Sequence, residues 1–452
     1  MSEETRPSIK KVLFYTNIPR AFRATLVGYV YEVSQKYPTI LLSEKLDTET
    51  EEILSNKELF PLLEEIVPVC QFGVVSENIF AKNKRLCQLA KEVIERYGPD
   101  IVISPSDTHS LFELYLMRFA KRVNAVTMAV QTANALDSNV VRKWVNLINA
   151  YSRSPSFLPL WLRLLFVKAR RYGGHFFYYW ILPIIVKEKP FFGKSSHILR
   201  IGNSGMRDAD YQIIFSQKDY NVYLNDGVPK EKLYILPHPL KRKSREFFEE
   251  AYLYADIKKI VTREKTVHLL WPSDAVGFRR VDSSLISERE TKETKIKIVK
   301  EAARIMNEWQ IIITFHPDTV EAETIKEELE KISNVTVIKP KEPVDKYLEV
   351  ADAIIGLPLS VSTALFTAFL LHPEKPIISL DINQEIMGDY YKDFEGIECI
   401  DDEDKLIDVL KSIQNNTYCK SFNQTEGQFE EKEYSNSIEI IEFLFNKKNE
   451  NH

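Results

Sequence analysis

Between Gln310 and Asp381, short β-branched runs alternate with charged, helix-like segments, a pattern that few architectures can accommodate. Ile311-Ile312-Ile313-Thr314-Phe315 ends at His316-Pro317-Asp318, and Val335-Thr336-Val337-Ile338 follows. Ala351-Asp352-Ala353-Ile354-Ile355-Gly356, Ser360-Val361-Ser362-Thr363 and Pro376-Ile377-Ile378-Ser379-Leu380-Asp381 complete the series. Such runs read as βα units around a parallel sheet, so the chain is an α/β protein. Ligands of these sheets bind at the carboxyl ends of the strands, where His316 and the Ser/Thr cluster fall. This half is the candidate nucleotide-binding domain.

At 452 residues the chain exceeds what one core organises and suits two α/β domains with an insertion. A formal charge of −5 argues against a nucleic-acid binder, which is usually basic. Cys70, Cys87, Cys399 and Cys419 are scattered without metal-ligand spacing, so a reduced, cytoplasmic setting is expected. Met1 to Arg6 is polar and leads directly into a strand, so no signal peptide is expected. The Asn-x-Thr triplets at Asn334, Asn415 and Asn423 are then incidental.

In the first half, Lys10–Tyr15 reads as a buried strand, Arg23–Lys36 as its helix and Thr39–Ser43 as a second strand. The turn Thr16-Asn17-Ile18-Pro19-Arg20 has no glycine, which excludes the backbone approach that a dinucleotide pyrophosphate requires. Leu86–Tyr97 is helical, and Ile101-Val102-Ile103 is a strand ending in Ser104-Pro105-Ser106-Asp107-Thr108-His109. Asp107, His109 and Glu113 are the general-base candidates, because proton abstraction needs a carboxylate or imidazole within hydrogen-bond reach. Glu113 shares a face with His109 if a helix starts there. The competing reading is that Ser106 or Asp107 only caps that helix. Val126–Val130 is a further strand, ending at Gln131-Thr132.

Residues 142–200 carry eleven Lys/Arg against one acidic residue, Glu188, leaving the rest of the chain about fifteen charges negative. Aromatics crowd the same segment. Neither apolar run, Phe157–Val167 or Phe176–Val186, reaches the ~20 residues that span a bilayer. Trp161, Phe166, Lys168, Arg170, Arg171, Phe176, Phe177 and Trp180 suit a helix pair lying on an anionic membrane surface. A buried helical hairpin, an oligomer contact and a single-stranded nucleic-acid groove are the alternatives. Beyond it, Ala209–Ser216 and Leu233–Leu236 read as strands around the helix Gln217–Asn225. Ala209-Asp210 enters its strand as Ala351-Asp352 does, so Asp208-Ala209-Asp210 is scaffold and no metal site is assigned.

The highly charged Lys241–Lys259 reads as the connection between domains. Thr266–Leu270 opens the second half as a strand, and Trp271–Thr291 is a polar loop with Ser273, Arg279 and Arg280 as phosphate contacts or solvated charges. Lys292–Trp309 is a helix. Pro317 fixes a turn, so His316 is expected to project towards a ligand. Ser360, Ser362 and Thr363 precede the helix Ala364–Leu371, where hydroxyls and free N–H groups form an anion site or a plain cap. Lys405–Ile413 and Ser435–Phe445 are helical.

Pro-Asp-Ile-Val-Ile, Ala-Asp-Tyr-Gln-Ile-Ile-Phe-Ser, Gly-Val-Pro-Lys-Glu-Lys-Leu-Tyr, His238-Pro239-Leu240 and the Ala-Asp…Ser-Thr…Lys-Pro-Ile-Ile series occur in this order. Together they resemble the GT-B glycosyltransferase architecture: two Rossmann-like domains facing across a cleft, here with a basic aromatic helical insertion in the first. His316-Pro317 with Ser362-Thr363 looks most like bacterial polysialyltransferases and glycerophosphotransferases of surface-polymer synthesis, whose His-Pro and Ser/Thr motifs hold a cytidine nucleotide. The resemblance implies an acceptor domain over residues 1–240 and a nucleotide-sugar domain over 260–420, with a C-terminal tail and helix over 421–452. It also implies His316, Ser362 and Thr363 as donor ligands and an acidic first-domain residue as base. Leu365-Phe366-Thr367-Ala368 stands where many retaining members place a glutamate, which points to inversion.

The function expected is an inverting, metal-independent glycosyltransferase, with no cofactor beyond its nucleotide-sugar donor. It would build a surface glycan on a glycan or lipid-linked acceptor at the cytoplasmic membrane face. The alternatives are an enzyme like the non-hydrolysing UDP-N-acetylglucosamine 2-epimerases, which share the architecture, and a non-catalytic scaffold binding a glycan or partner.

Overall fold

The computed structural model describes residues 9–16, 25–43, 46, 48–69, 77–105, 110–132, 159–191, 209–225, 227–239, 260–272, 288–316, 319, 321–338, 344–357, 363–380, 396–418 and 434–450. Two compact units divide the chain. The first takes Met1–Lys143, Leu164–Ala251 and Phe429–His452, and the second takes Trp144–Arg163 and Tyr252–Gln428.

The first unit contains a seven-stranded parallel sheet in the order β3-β2-β1-β4-β5-β6-β7. Its strands are β1 (Val12–Thr16), β2 (Thr39–Ser43), β3 (Leu63–Pro68), β4 (Ile101–Ser104), β5 (Val126–Val130), β6 (Tyr211–Ile214) and β7 (Leu233–Ile235). The helices are α1 (Val27–Ser34), α2 (Thr48–Ser55), α3 (Ile79–Tyr97), α4 (Leu111–Arg122), α5 (Leu160–Phe176, of which Leu164 onward belongs to this unit), α6 (Leu182–Ile185) and α7 (Gln217–Asn225). The inner strands are apolar because helices cover both faces. β3 eluded the sequence pattern. It is an edge strand whose Leu-Glu-Glu-Ile-Val-Pro leaves the glutamates partly in solvent, so it lacks the continuous apolar run of a central strand.

The second unit holds a six-stranded parallel sheet in the order β10-β9-β8-β11-β12-β13. Its strands are β8 (Thr266–Trp271), β9 (Gln310–Phe315), β10 (Val335–Val337), β11 (Ala353–Gly356), β12 (Ile377–Leu380) and β13 (Glu398–Ile400). The intervening helices are α8 (Glu288–Ile305), α9 (Ala322–Leu329), α10 (Asp345–Val350), α11 (Thr363–Leu371) and α12 (Glu403–Gln414). Its core gathers Val267, Leu269, Val299, Ile311, Ile313 and Ile355 beneath α8 and α12.

An aspartate at the amino end of a strand clamps its neighbour in three places. The Asp100 carboxylate accepts from Lys10 N (2.7 Å) and Lys11 N (2.9 Å) ahead of β1. Asp210 accepts from Thr127 N at 3.0 Å, and Asp352 accepts from Thr266 N at 2.7 Å. Each returns its own backbone N–H to the partner strand. These residues are register pins at the edge opposite the carboxyl ends, which accounts for Asp210 as scaffold. Asn334 is likewise internal, its side-chain amide donating to the carbonyls of Ala303, Met306 and Trp309.

The last helix, α13 (Ser437–Glu450), packs in the first unit. Ser437 N donates to Glu32 Oε2 at 2.7 Å, and Lys36 and Tyr37 both reach Glu442. Burial alone would raise the Glu442 carboxyl, but the hydrogen bonds from Lys36 and Tyr37 outweigh it and hold the group below the ordinary carboxylate range.

The basic aromatic segment departs from the expected helix pair. From Leu160 to Ile185 the backbone is one helical run, with a π-helical turn at Phe177–Ile181 between α5 and α6. The boundary between the two units falls within the segment, at Arg163/Leu164.

Candidate functional site

In the second unit, strand order reverses between β8 and β11, the topological switch point at which ligands of open parallel sheets bind. His316 follows β9 directly. Its N–H donates to the Trp271 carbonyl at 2.8 Å, and its own carbonyl accepts from Thr319 N at 2.9 Å. That i to i+3 bond has β-turn spacing, for which proline at the second position is favoured. The backbone of His316 is thus tied on both sides, and its half-buried side chain stands at the carboxyl edge.

Beside it, the end of β8 is backed by a buried cation. Lys295 of α8 is fully buried, donates to the Pro272 carbonyl at 3.2 Å and lies 5.3 Å from the centre of the Trp271 ring. Burying an ammonium is costly unless hydrogen bonds and a π face replace its water. Lys295 was missed in the sequence. The available signal was a lysine standing in register with Val299 and Ala302 on the buried face of α8.

Across the switch point, Gly356 ends β11. A Cβ built there would lie 2.2 Å from Leu365 Cδ1, so the glycine lets α11 seat directly against the strand end. That close approach brings the N-terminus of α11, at Thr363, to the carboxyl edge. His316, the Pro272–Lys295 contact and the start of α11 therefore occupy the ends of the adjacent strands β9, β8 and β11.

In the first unit, Glu113 is fully buried and belongs to a capping box. Its N–H donates to Ser110 Oγ (3.1 Å), and its carboxylate accepts from Ser110 N (3.0 Å) and Ser104 Oγ (3.3 Å). The helix starts at Leu111 with Ser110 as its cap, which corrects the expectation of a cap at Ser106 or Asp107. It also removes the shared helical face of His109 and Glu113. Gln131, at the end of β5, accepts from Phe215 N at 2.9 Å and ties β5 to β6.

A second buried polar group lies on the same edge. His238 Nε2 is 3.2 Å from Thr25 Oγ1, and Thr25 Oγ1 also reaches the Thr132 carbonyl at 3.4 Å. The His238 ring packs edge-on to Phe215 at 4.6 Å. His238 stood out in the sequence only as part of a motif, and its contact with a residue 213 positions away had no local signal.

Asp107, His109, Ser273, Arg279, Arg280, Pro317, Ser360 and Ser362 lie outside the described residues, as do the side chains of Thr363, Phe166, Lys168, Arg170 and Arg171. Trp161 and Phe176 are exposed, whereas Phe177 and Trp180 pack partly against the first unit's core. Among the described residues, no group of three or more His, Cys, Asp or Glu is placed to hold a metal ion. No described helix is long and apolar enough to cross a membrane.

Two Rossmann-like units with parallel sheets define the chain as a two-domain α/β protein of the GT-B-like class. Its fold is similar to that of UDP-GlcNAc 2-epimerase from Methanocaldococcus jannaschii, with a TM-score of 0.57 at 13% identity over 96% of this chain and 98% of that one. The same enzyme in complex with UDP-GlcNAc and UDP gives 0.54 at 13% identity, over the same shares of the two chains. UDP-GlcNAc 2-epimerase from Neisseria meningitidis, bound to UDP-GlcNAc, gives 0.56 at 11% identity over 97% of this chain and 99% of that one. No family model and no curated protein matches the chain.

Proposed function

We propose that the chain is an enzyme acting on a nucleotide-activated sugar, with the nucleotide held at the carboxyl edge of the second sheet. The observation that carries this reading is His316, whose backbone is pinned to β8 and closes a turn at the carboxyl end of β9, one strand from the switch point. An imidazole carried on a backbone so fixed donates a hydrogen bond to a phosphate or base with little backbone ordering cost. Ser360, Ser362 and Thr363 at the start of α11, with Ser273, Arg279 and Arg280, complete the anion site of this proposal.

The leading reaction is inverting transfer to a glycan or lipid-linked acceptor, without a metal. A first-unit base, Asp107 or His109, takes the proton of the acceptor hydroxyl. The acceptor oxygen bonds to the anomeric carbon as the sugar–phosphate bond breaks, and the charge passes to the departing nucleotide. His316 and the arginines stabilise that charge. Glu113, engaged with Ser110, is assigned to positioning the segment that carries the base. The donor classes include CMP-linked sugars of sialyl type as well as hexosyl nucleotides.

A second reading is favoured by the epimerase folds that match nearly the whole chain. Here a UDP-sugar is inverted at C2 without any acceptor.

Both readings are tested by thermal shift of the full chain with CMP, CDP, UDP, GDP and their sugars, beside His316→Ala. A ligand at 100 times its dissociation constant stabilises by about 2.7 kcal/mol. One nucleotide should shift the wild type and fail with the variant. NMR of the matching nucleotide sugar then separates the chemistries: nucleotide release that needs an acceptor supports transfer, and a C2 epimer formed without one supports epimerisation. Binding without either reaction leaves a scaffold, and no shift with any nucleotide overturns the site.

A further inference from the structure

We infer that the outer row of α5, continued through the π-turn into α6, is a docking surface for anionic phospholipid. Of the eleven large hydrophobic side chains exposed among the described residues, six lie between positions 161 and 185: Trp161, Leu165, Phe176, Tyr178, Ile184 and Ile185. Along α5, Trp161, Leu165, Ala169, Gly173 and Phe176 recur at helical spacing and all are exposed. Trp161 is 62% exposed and Phe176 is 48% exposed, unusual values for large aromatics on a soluble surface.

The C-terminal end of the row is anchored. Phe177, Tyr179 and Trp180 pack against the first unit's core, and Leu182 and Pro183 are buried. Asn83 Nδ2 donates to the Leu182 carbonyl at 2.7 Å, and Tyr115 bonds Asn83 Oδ1 at 2.8 Å, fixing α6 to α3 and α4. One side of the run is therefore anchored while the apolar row faces outward.

Charge selects the occupant. From Leu160 to Lys187 there is no Asp or Glu, but there are five cations: Arg163, Lys168, Arg170, Arg171 and Lys187. A second copy of the chain would bring two such segments together with no acid to pair them. An anionic bilayer supplies the missing charge, while the apolar row enters the interface between headgroups and acyl chains. The helix lies on the membrane and does not cross it. This inference is independent of what the sheets bind.

The test is co-sedimentation of the full chain with phosphatidylcholine vesicles and with mixed phosphatidylcholine–phosphatidylglycerol vesicles. Wild type should pellet with the mixed vesicles only, and added salt should release it. The triple variant Trp161→Ser, Leu165→Ser, Phe176→Ser should lose about tenfold or more of the bound fraction. Its circular dichroism should be unchanged, because all three side chains are exposed. Brominated lipid should quench wild-type fluorescence and spare much of it in Trp161→Phe, a check that needs no multiple variant. Failure to pellet with anionic vesicles overturns the inference. So does pelleting that the triple variant retains, or a dimer on gel filtration that this variant splits.

Discussion

Lys448, near the end of the last helix, lies 2.9 Å from Asp210, which precedes β6 238 positions earlier. The same carboxylate takes Lys121 at 3.0 Å and pins Thr127 N and Oγ1. The C-terminus is thereby welded to the amino edge of the first sheet. Burial pushes the Asp210 carboxyl up, but Lys121, Lys448 and Thr127 outweigh it and hold the group below its ordinary value.

Asp210→Asn should destabilise the first unit by about 2 kcal/mol, the scale of charge-assisted hydrogen bonds lost from a mostly buried site. Because the folded value is depressed, this stability is fully present above the unfolded carboxylate value, about pH 4, and is lost as pH falls through the folded one. Urea unfolding followed at neutral pH and at acid pH checks both statements. A variant as stable as wild type at neutral pH would rule out the clamp.

His268 sits in the middle of β8, fully buried, with Nε2 2.9 Å from Thr314 Oγ1. Burial pushes its imidazole down to about 3. The unfolded chain then binds the extra proton below about pH 6.5, so stability is full above that value and falls as pH drops towards the folded one. About 2 kcal/mol should be lost between pH 6.5 and pH 5 on the scale of one pKa unit per 1.36 kcal/mol. Melting of wild type and His268→Phe across that range measures it, and an equal slope in both would remove His268 as the cause.

Gly356→Ala should cost about 1–3 kcal/mol, the usual range for overpacking a filled core. The new methyl meets the Leu365 side chain, itself buried between α11 and the sheet. In chemical denaturation Leu365→Ala should then cost less in the Gly356→Ala background than in wild type. Strict additivity would show that α11 shifts instead.

Ser110→Ala should lose about 1 kcal/mol by removing the cap. Glu113→Gln keeps a side-chain acceptor for Ser110 N, so its stability should stay near wild type and turnover of the nucleotide sugar should persist. A loss of about a hundredfold in turnover with the fold intact would instead make Glu113 the base.

The interior strands of both sheets were legible because a buried parallel strand needs an unbroken apolar run, as in β5 and β9. Edge strands β3 and β13 were not, since solvent on one side permits glutamate in them. His316 was legible as a strand-end residue, and Asp210 as scaffold by analogy with Asp352. The cap was misread, not the strand before it: the cap that engages Glu113 is set by where α4 starts, and Ser110, Asp107 and Ser106 look equally able to cap. Lys295 and His238 gave almost no local sign.

Local pattern thus determined the α/β class, two sheet-forming halves and the basic aromatic segment, because burial on two faces or one writes itself into neighbouring residues. The tertiary structure alone decided that α13 returns to the first unit, that Thr25 meets His238, and which row of α5 faces outward. Those contacts join residues up to 406 positions apart, and no short-range pattern encodes a partner at that distance.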